Sequence, residues 1–327
     1  MKRILLFTLA LLMILPLFGA CQKYDGELAV NVWVLNGTTG FGIAPLIEDN
    51  KADKAALNYT FTVETNAANV QSALINGTAD IAALPTNAAA ALYNKTNGAV
   101  VLLALNTRGV LYLVANTAKV TAPTTLADLA GKTVYCPAQN PAFVTKALLE
   151  KAEIAGVTLD STTYAEPAAL RDAVASGLVD FAVLPEPMVT IAVSKAKQAN
   201  AGVTLSAALD LTAEWRSAFG ADSLVQGCVV ARKAFVEEHP EEIKKFLEEY
   251  EASIHYVIEN PKDASEKIAS SGVFAQAPVA EKAIPKCNLC FLTGSEMKNA
   301  MSAFLSALPA ASIGGKLPAD DFYFDIK

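Results

Sequence analysis

The sequence predicts an α/β protein of two similar lobes with a ligand-binding cleft between them. A thirteen-residue pattern occurs twice, at residues 73–85 and again one hundred positions later at 173–185. The residues that the two copies share include Gly77/Gly177, Asp80/Asp180, Ala82/Ala182, Leu84/Leu184 and Pro85/Pro185. Each copy is typical of a helix that ends at a glycine, a tight turn, and a short buried strand that stops at a proline. A pair of such units predicts two lobes, and a cleft between two lobes suits ligand binding.

Apolar runs alternate with helical segments in the first lobe, which predicts a parallel sheet covered by helices on both faces. Strands are predicted at residues 28–35, 59–64, 80–84 and 99–105, and helices at 67–76, at 87–93 and from about Phe41. A polar loop that contains glycine, residues 36–40, follows the first strand. The apolar run 109–116 needs no helix before it, so it is expected to run antiparallel and to cross to the second lobe.

The second lobe repeats this order. Strands are predicted at residues 133–136, 163–164, 180–184 and 205–209, and helices at 126–129, 142–155, 167–176 and 188–197. The apolar run 224–231 then returns the chain to the first lobe. A long helix follows Pro240 and is expected to pack on the first lobe, because its apolar side chains share one face: Ile243, Phe246, Leu247, Tyr250, Ile254 and Val257. The predicted boundaries are 28–109 plus 228–327 for the first lobe and 110–227 for the second.

The N-terminus has the pattern of a lipoprotein signal peptide. Lys2 and Arg3 are basic, and residues 4–18 form an apolar run that is too short to span a membrane comfortably. The tetrapeptide at 18–21 resembles the bacterial lipobox, with Phe18 where leucine is usual. Residues 1–20 are therefore predicted to be removed, Cys21 to carry acyl chains, and residues 21–27 to be a lipidated tether on the extracytoplasmic side of a bacterial membrane. A plain signal peptide and an uncleaved anchor are the alternatives.

The chain is acidic, with 26 basic and 33 acidic residues and a net charge of −7. Loss of the signal peptide removes Lys2 and Arg3 and no acid, which leaves a net charge of −9. An acidic surface argues against nucleic acid as a partner.

Apart from Cys21, the mature chain has four cysteines, of which Cys287 and Cys290 form a C-x-x-C pair. Three interpretations apply: reduced thiols packed in apolar surroundings, a local disulfide, or a metal site. No second pair lies at zinc spacing, and His239 and His255 both fall in the long predicted helix. Neither a metal nor a cofactor is therefore predicted.

Polar residues beyond the carboxyl ends of the predicted strands form the candidate ligand site, because open α/β sheets bind ligands there. The candidates are Asn36, Gly37, Thr38, Thr39, Gly40, Phe41, Thr86, Asn87, Asn106 and Arg108 in the first lobe and Gln139, Asn140 and Glu186 in the second. Backbone N–H groups and hydroxyls at residues 36–41 could hold a carboxylate, a sulfonate or a similar anion, with a capping loop that binds no ligand as the alternative. Arg108 is expected either to neutralise an anionic ligand or to lie solvated at the hinge.

Other conspicuous residues have structural explanations. Asp80 and Asp180 repeat, but they are expected to cap the turn before each strand. Phe143 and Trp215 are expected in the core or between the lobes, with a wall of the cleft as the alternative. No serine sits in a nucleophile elbow, the two histidines have no readable partner, and the acids show no pairing. The sequence therefore favours binding over catalysis.

Five segments resemble the substrate-binding lipoproteins of ABC importers, in the broad group that binds nitrate, sulfonates, taurine and thiamine precursors. These segments are residues 77–87, 106–112, 184–187, 227–233 and 314–318. The resemblance covers essentially the whole mature chain. It implies the type II periplasmic-binding-protein fold, with two lobes that each have a five-stranded mixed sheet and are joined by two crossing strands. It also implies a monomer that captures a small organic ligand, anionic or heteroaromatic, and delivers it to permease and ATPase subunits.

Two other classes of protein are compatible with this fold. One is an enzyme similar to those of the menaquinone pathway or to the thiamine-pyrimidine synthases. The synthases use a cysteine-rich motif and active-site histidine and lysine; this chain lacks the motif, and its histidines lie elsewhere. The predicted export signal also argues against a cytosolic enzyme. The other class is a solute-binding sensor that docks on a receptor, which the sequence does not separate from an importer component.

Overall fold

The computed structural model describes residues 28–199 and 202–325. The predicted signal peptide, Cys21 and the tether lie outside the described residues. No helix within the described part of the chain is long and apolar enough to cross a membrane.

Strands and helices alternate along most of the described chain. The strands are β1 (Ala29–Leu35), β2 (Asn58–Glu64), β3 (Ile81–Pro85), β4 (Val100–Arg108), β5 (Leu111–Asn116), β6 (Thr133–Tyr135), β7 (Thr158–Asp160), β8 (Phe181–Pro185), β9 (Leu205–Asp210), β10 (Val225–Arg232) and β11 (Leu289–Leu292). The helices are α1 (Thr38–Phe41), α2 (Ala44–Lys51), α3 (Ala67–Asn76), α4 (Thr86–Lys95), α5 (Asn140–Lys151), α6 (Pro167–Ala175), α7 (Met188–Ala199), α8 (Leu211–Phe219), α9 (Lys233–Glu238), α10 (Pro240–Glu259), α11 (Pro261–Ser270), α12 (Ala277–Ala283) and α13 (Gly294–Ser306). Short 3₁₀ turns, including Leu126–Leu129 and Ile284–Lys286, complete the structure.

The strands form two mixed sheets. The first has the order β11-β4-β10-β3-β1-β2, with β1 parallel to β2 and β3, and with β10 antiparallel to β3 and β4. The second has the order β7-β6-β8-β5-β9, with β6 parallel to β7 and β8, and with β5 antiparallel to β8 and β9. In each sheet the repeated strand, β3 or β8, lies between a parallel strand and an antiparallel one. The prediction that residues 109–116 run antiparallel in the second sheet is confirmed, as is the return of β10 to the first sheet.

Two elements differ from the predictions. The first sheet has six strands rather than five, because Leu289–Leu292 adds β11 beside β4. The strand expected at residues 163–164 lies instead at Thr158–Asp160. The Asp160 carboxylate accepts hydrogen bonds from the backbone N–H and the hydroxyl groups of Thr162 and Thr163, at 2.6–3.1 Å. Such side-chain bonds form a turn, so the strand ends at Asp160.

The core confirms the predicted packing of α10. All six apolar side chains named above for this helix are buried, in a cluster with Val30, Val32 and other residues of the first sheet. Trp215 of α8 is fully buried, stacks on Phe219 at 4.0 Å, and packs against Phe304 of α13. It is thus an aromatic residue of the core between the lobes and not a wall of the cleft. Phe143 is partly buried against the same core.

Asp80 does more than cap a turn, which corrects the expectation for this residue. Its carboxylate accepts two 2.9 Å hydrogen bonds from Asn31 of β1, one from the backbone and one from the side chain. It also forms a 2.5 Å ion pair with Arg232 at the end of β10. Through these contacts the buried Asp80 links β1 and β10 of the first sheet. Asp180 is half exposed, and its ion pair is with Lys119 at 3.9 Å.

The repeat supplies a matched test of these two aspartates. Asp80→Ala should lower the free energy of unfolding by about 3 kcal/mol, because it leaves the Asn31 donors and Arg232 without their charged acceptor. Asp180→Ala should lower it by less than about 1 kcal/mol, as is usual for an exposed ion pair. Urea denaturation of both variants measures the difference. Equal losses would show that Asp80 is no more than a turn residue.

Candidate ligand-binding cleft

A cleft of about 780 Å³ lies between the two sheets, where loops follow the carboxyl ends of the strands. From the first lobe it is lined by Leu35, Asn36, Thr39, Thr65, Asn66, Ala67, Ala68, Gln71, Pro85, Asn87 and Ala88. From the second lobe it is lined by Ala138, Gln139, Asn140, Pro141, Ala165, Glu166 and Pro167. Neutral amides, hydroxyls, alanines and prolines dominate this surface. Glu166 is the one charged residue among these lining residues, and none of them is aromatic.

Four helices of nine to twelve residues begin at this cleft: α3, α4, α5 and α6. The first N–H groups of a helix have no acceptor within the helix, and they carry about half a positive charge in total. Asn66 caps α3 by accepting a 2.9 Å hydrogen bond from Ala68. The residues before the other three helices, Pro85, Gln139 and Glu166, make no such side-chain bond. The first N–H groups of these three helices are therefore left for other acceptors in the cleft, although Pro141 of α5 and Pro167 of α6 contribute none.

The first helices of the two lobes open with the same unusual backbone conformation. Gly37 precedes α1 with φ 85° and ψ −157°, and Gln139 precedes α5 with φ 64° and ψ −127°. Glycine adopts a positive φ without strain, whereas a glutamine there is strained and is held by its surroundings. Such residues concentrate at ligand sites. The shared conformation supports the predicted equivalence of the loops at residues 37–39 and 139–140.

Direct hydrogen bonds connect the lobes at the cleft. The Asn140 side chain donates to Oδ1 of Asn87 at 2.8 Å. The Thr38 hydroxyl donates to the backbone carbonyl of Glu186 at 2.7 Å. Lys286 Nζ lies 3.8 Å from the Glu186 carboxylate. Since each pair joins a residue of one lobe to a residue of the other, these contacts belong to a closed arrangement of the cleft.

Five of the thirteen sequence-predicted site residues line the cleft: Asn36, Thr39, Asn87, Gln139 and Asn140. Seven others lie behind its walls or in the supporting loops: Gly37, Thr38, Gly40, Phe41, Thr86, Asn106 and Glu186. Asn106, for example, is buried and donates to the Thr39 carbonyl at 3.2 Å and to the Tyr250 hydroxyl at 2.9 Å. A position at a strand end thus predicts proximity to the cleft, but it does not predict which way a side chain points.

Arg108 does not line the cleft. It lies at the hinge, where the chain leaves the end of β4 and crosses to β5 of the second sheet. Its guanidinium donates to the Asp222 carbonyl at 2.7 Å and pairs with the carboxylates of Asp222 and Glu296, each at 3.3 Å. Of the two roles considered for Arg108, the structure supports the one at the hinge.

Sequence reasoning missed several lining residues, among them Asn66 and Glu166. These two residues are one hundred positions apart and directly precede the repeated helices α3 and α6. Extending the internal repeat upstream by seven residues would have found both. Gln226 was also missed; it donates to Oδ1 of Asn140 at 2.9 Å from within an apolar run that gives no sign of a polar role.

Glu186 is a buried carboxylate between the lobes. Burial raises its pKa, while hydrogen bonds from the hydroxyl and the backbone N–H of Thr190, both at 3.1 Å, and the charge of Lys286 act in the opposite direction.

The Cys287 thiol is buried beside Thr38, and the four cysteines within the described residues are free, so Cys287 and Cys290 form no disulfide. The described residues contain no group of His, Cys, Asp and Glu that could hold a metal ion.

Comparison with known proteins identifies relatives over most of the chain. A family model described as "ABC transporter, phosphonate, periplasmic substrate-binding protein" matches residues 54–273. No curated protein matches the chain in sequence.

Solved structures support the fold. An ABC transporter protein from Parabacteroides distasonis is 25% identical, with a TM-score of 0.76, and the match covers 91% of this chain and 99% of that one. The periplasmic aliphatic sulphonate-binding protein of Escherichia coli is 14% identical, with a TM-score of 0.64 and coverage of 86% and 87%. The alkanesulfonate-binding protein of Xanthomonas axonopodis pv. citri, bound to MOPS, is 13% identical, with a TM-score of 0.59 and coverage of 89% and 94%. The predicted periplasmic-binding-protein fold is thereby confirmed.

The raised pKa of Glu186 predicts a pH dependence of stability. The folded chain retains a proton that the unfolded chain releases near the ordinary carboxyl pKa of about 4.3. This group therefore lowers the free energy of unfolding as the pH rises from that value through the raised pKa. Glu186→Gln should remove this part of the pH dependence in thermal melts between pH 4 and pH 8. Glu166→Gln, at an exposed glutamate, is the control; if the two variants gave the same pH profile, the burial argument would fail.

Proposed function

This chain belongs to the ABC transporter phosphonate family of periplasmic substrate-binding proteins, and we propose that it captures a small organic anion in its cleft and delivers it to an importer permease. One observation supports an anion as the ligand. Helix N-termini meet in the cleft, and the lining residues named above include no lysine or arginine. The family and the similar structures are transporter components, which argues against the enzyme alternative.

The electrostatics of the cleft favour an anion that carries one charge. Each helix start contributes about half a positive charge, and the amide side chains add neutral donors. Anions at helix N-termini are stabilised by these donors without a basic side chain. Glu166 adds a negative charge to the same cleft, which makes a second charge on the ligand less favourable. A sulfonate-like monoanion therefore suits this cleft better than a phosphonate dianion.

The organic part of the ligand is expected to be small and aliphatic. The cleft volume lies in the usual range for small-molecule sites, about 300–1,000 Å³. Alanines and prolines such as Ala67, Ala88, Pro141 and Pro167 supply its apolar surface. Because its described lining has no aromatic ring on which a ligand could stack, the heteroaromatic class is the weaker candidate. The crystal structures of sulfonate-binding proteins with this fold are consistent with that choice.

A substitution at the start of α4 tests the anion. Ala88→Asp places a carboxylate in the first turn, where it stabilises the helix by about 0.3–1 kcal/mol but competes with an anion for the same N–H groups. Ala88→Asn is the neutral control of similar size. Titration calorimetry with ethanesulfonate should show binding to the unchanged protein, weakened at least tenfold more by Asp than by Asn. If a neutral sulfone or a quaternary ammonium ion bound in its place, the anion proposal would be wrong.

The proposed location is the extracytoplasmic side of a bacterial membrane, with Cys21 as the lipid anchor. The family description supports the periplasmic side, and the tetrapeptide before the tether supports the lipid. Labelled palmitate should enter the unchanged protein and not a Cys21→Ser variant expressed in the same bacterium. Equal labelling of both would exclude this anchor.

A further inference from the structure

A continuous chain of hydrogen bonds runs from the hinge to the cleft. The backbone N–H of Val110 donates to Oε1 of Gln226 at 2.8 Å. Gln226 Nε2 donates to Oδ1 of Asn140 at 2.9 Å, and Asn140 Nδ2 donates to Oδ1 of Asn87 at 2.8 Å. The three side chains are at most 9% exposed, so water competes little with these bonds. Val110 precedes β5 and Gln226 lies in β10, the two segments by which the chain passes between the sheets.

The first bond determines the direction of all the others. A backbone N–H can only donate, so the oxygen of the Gln226 amide must face Val110 and its NH₂ group must face Asn140. An amide has its acceptor and its donors on opposite atoms. Asn140 must therefore accept with its oxygen and donate to Asn87, and Asn87 must accept with its own oxygen. The NH₂ group of Asn87, the last member of this series of hydrogen bonds, therefore remains free.

Asn87 lines the cleft at the start of α4. Among the described residues none accepts a hydrogen bond from Asn87 Nδ2, and this atom is not one of the buried polar atoms without a partner. The NH₂ group thus adds a donor beside the free N–H groups of α4. Without a fixed orientation, the amide of Asn87 could present its oxygen instead and repel an oxyanion.

We propose that Gln226 is a positioning residue, which fixes the Asn87 amide so that the cleft presents donors and selects ligands with acceptor oxygens. The inference rests on the proposed function for the nature of the ligand, but the orientation itself is a property of the protein alone. The same series of hydrogen bonds links the hinge to the cleft, because it begins at Val110 and ends with the Asn140–Asn87 bond that joins the two lobes.

Gln226→Glu is the decisive variant because it keeps the size of the side chain and removes its donors. The ionised carboxylate accepts from Val110 and must accept from Asn140 Nδ2 as well, so this variant is studied at a pH that keeps the introduced carboxyl group ionised. The Asn140 oxygen then faces Asn87, and the Asn87 amide turns to donate to it, so that an oxygen points into the cleft. Gln226→Met, similar in length but without polar atoms, leaves the two asparagines without a fixed direction.

Solvent exchange of the side-chain NH₂ protons measures this orientation without any ligand. In protein labelled with ¹⁵N-asparagine, the Asn87 NH₂ protons should exchange rapidly and the hydrogen-bonded proton of Asn140 slowly. Asn87→Asp and Asn140→Asp variants assign the signals. Gln226→Glu should slow exchange at Asn87 at least tenfold, and Gln226→Met should give an intermediate rate. Unchanged exchange at Asn87 in both variants would overturn the inference.

Binding of ethanesulfonate gives a second readout. Its affinity should fall about ten- to a hundredfold in Gln226→Glu, from the loss of one donor and the presentation of an acceptor, and by less in Gln226→Met. A merely structural role for Gln226 predicts the opposite order or equal losses, and that result would contradict the inference. If the unchanged protein did not bind ethanesulfonate at all, the proposed function would fail, while the exchange rates would still decide the orientation of Asn87.

Discussion

The arrangement of this protein depends on one property of the helix, namely that its first N–H groups find no acceptor within it. The parallel strands of both sheets end at the cleft, and the helices that follow them must begin there. Proline precedes α4, opens α6 and is the second residue of α5, and no side chain caps these three helices. The cleft therefore gathers backbone N–H groups that have no acceptor within their helices. An anion that satisfies them fits the family to which the chain belongs.

The same geometry explains why closure and binding belong together. Asn87 and Asn140 stand at the starts of α4 and α5, on opposite lobes, and hydrogen-bond to each other. Thr38 and Lys286 of the first lobe contact Glu186 of the second. A ligand placed among the helix starts would contact both lobes, so it would favour the arrangement in which they are close. We therefore expect the two lobes to move as rigid bodies when a ligand binds.

The internal repeat made most of the architecture predictable. It located β3, β8 and the helix starts that follow them, and the alternation of apolar runs located the remaining strands, including the antiparallel β5. The strand β11 escaped because Leu289–Leu292 is a short edge strand that overlaps the C-x-x-C pair and invites a different interpretation. Asn106 and Thr86 are predicted ligand contacts because they end or follow strands, but their side chains turn toward Tyr250 and Val225. Side-chain direction at a strand end depends on tertiary packing, which the local pattern does not contain.

The molecule that co-purifies with the protein tests most directly whether the cleft between the two sheets holds a small organic anion. Native mass spectrometry gives the stoichiometry, and release of the molecule under denaturing conditions allows its identification. We expect one molecule per chain, small enough for a cleft of about 780 Å³ and carrying a sulfonate or another singly charged acidic group. A bound cation or a neutral molecule would contradict this expectation.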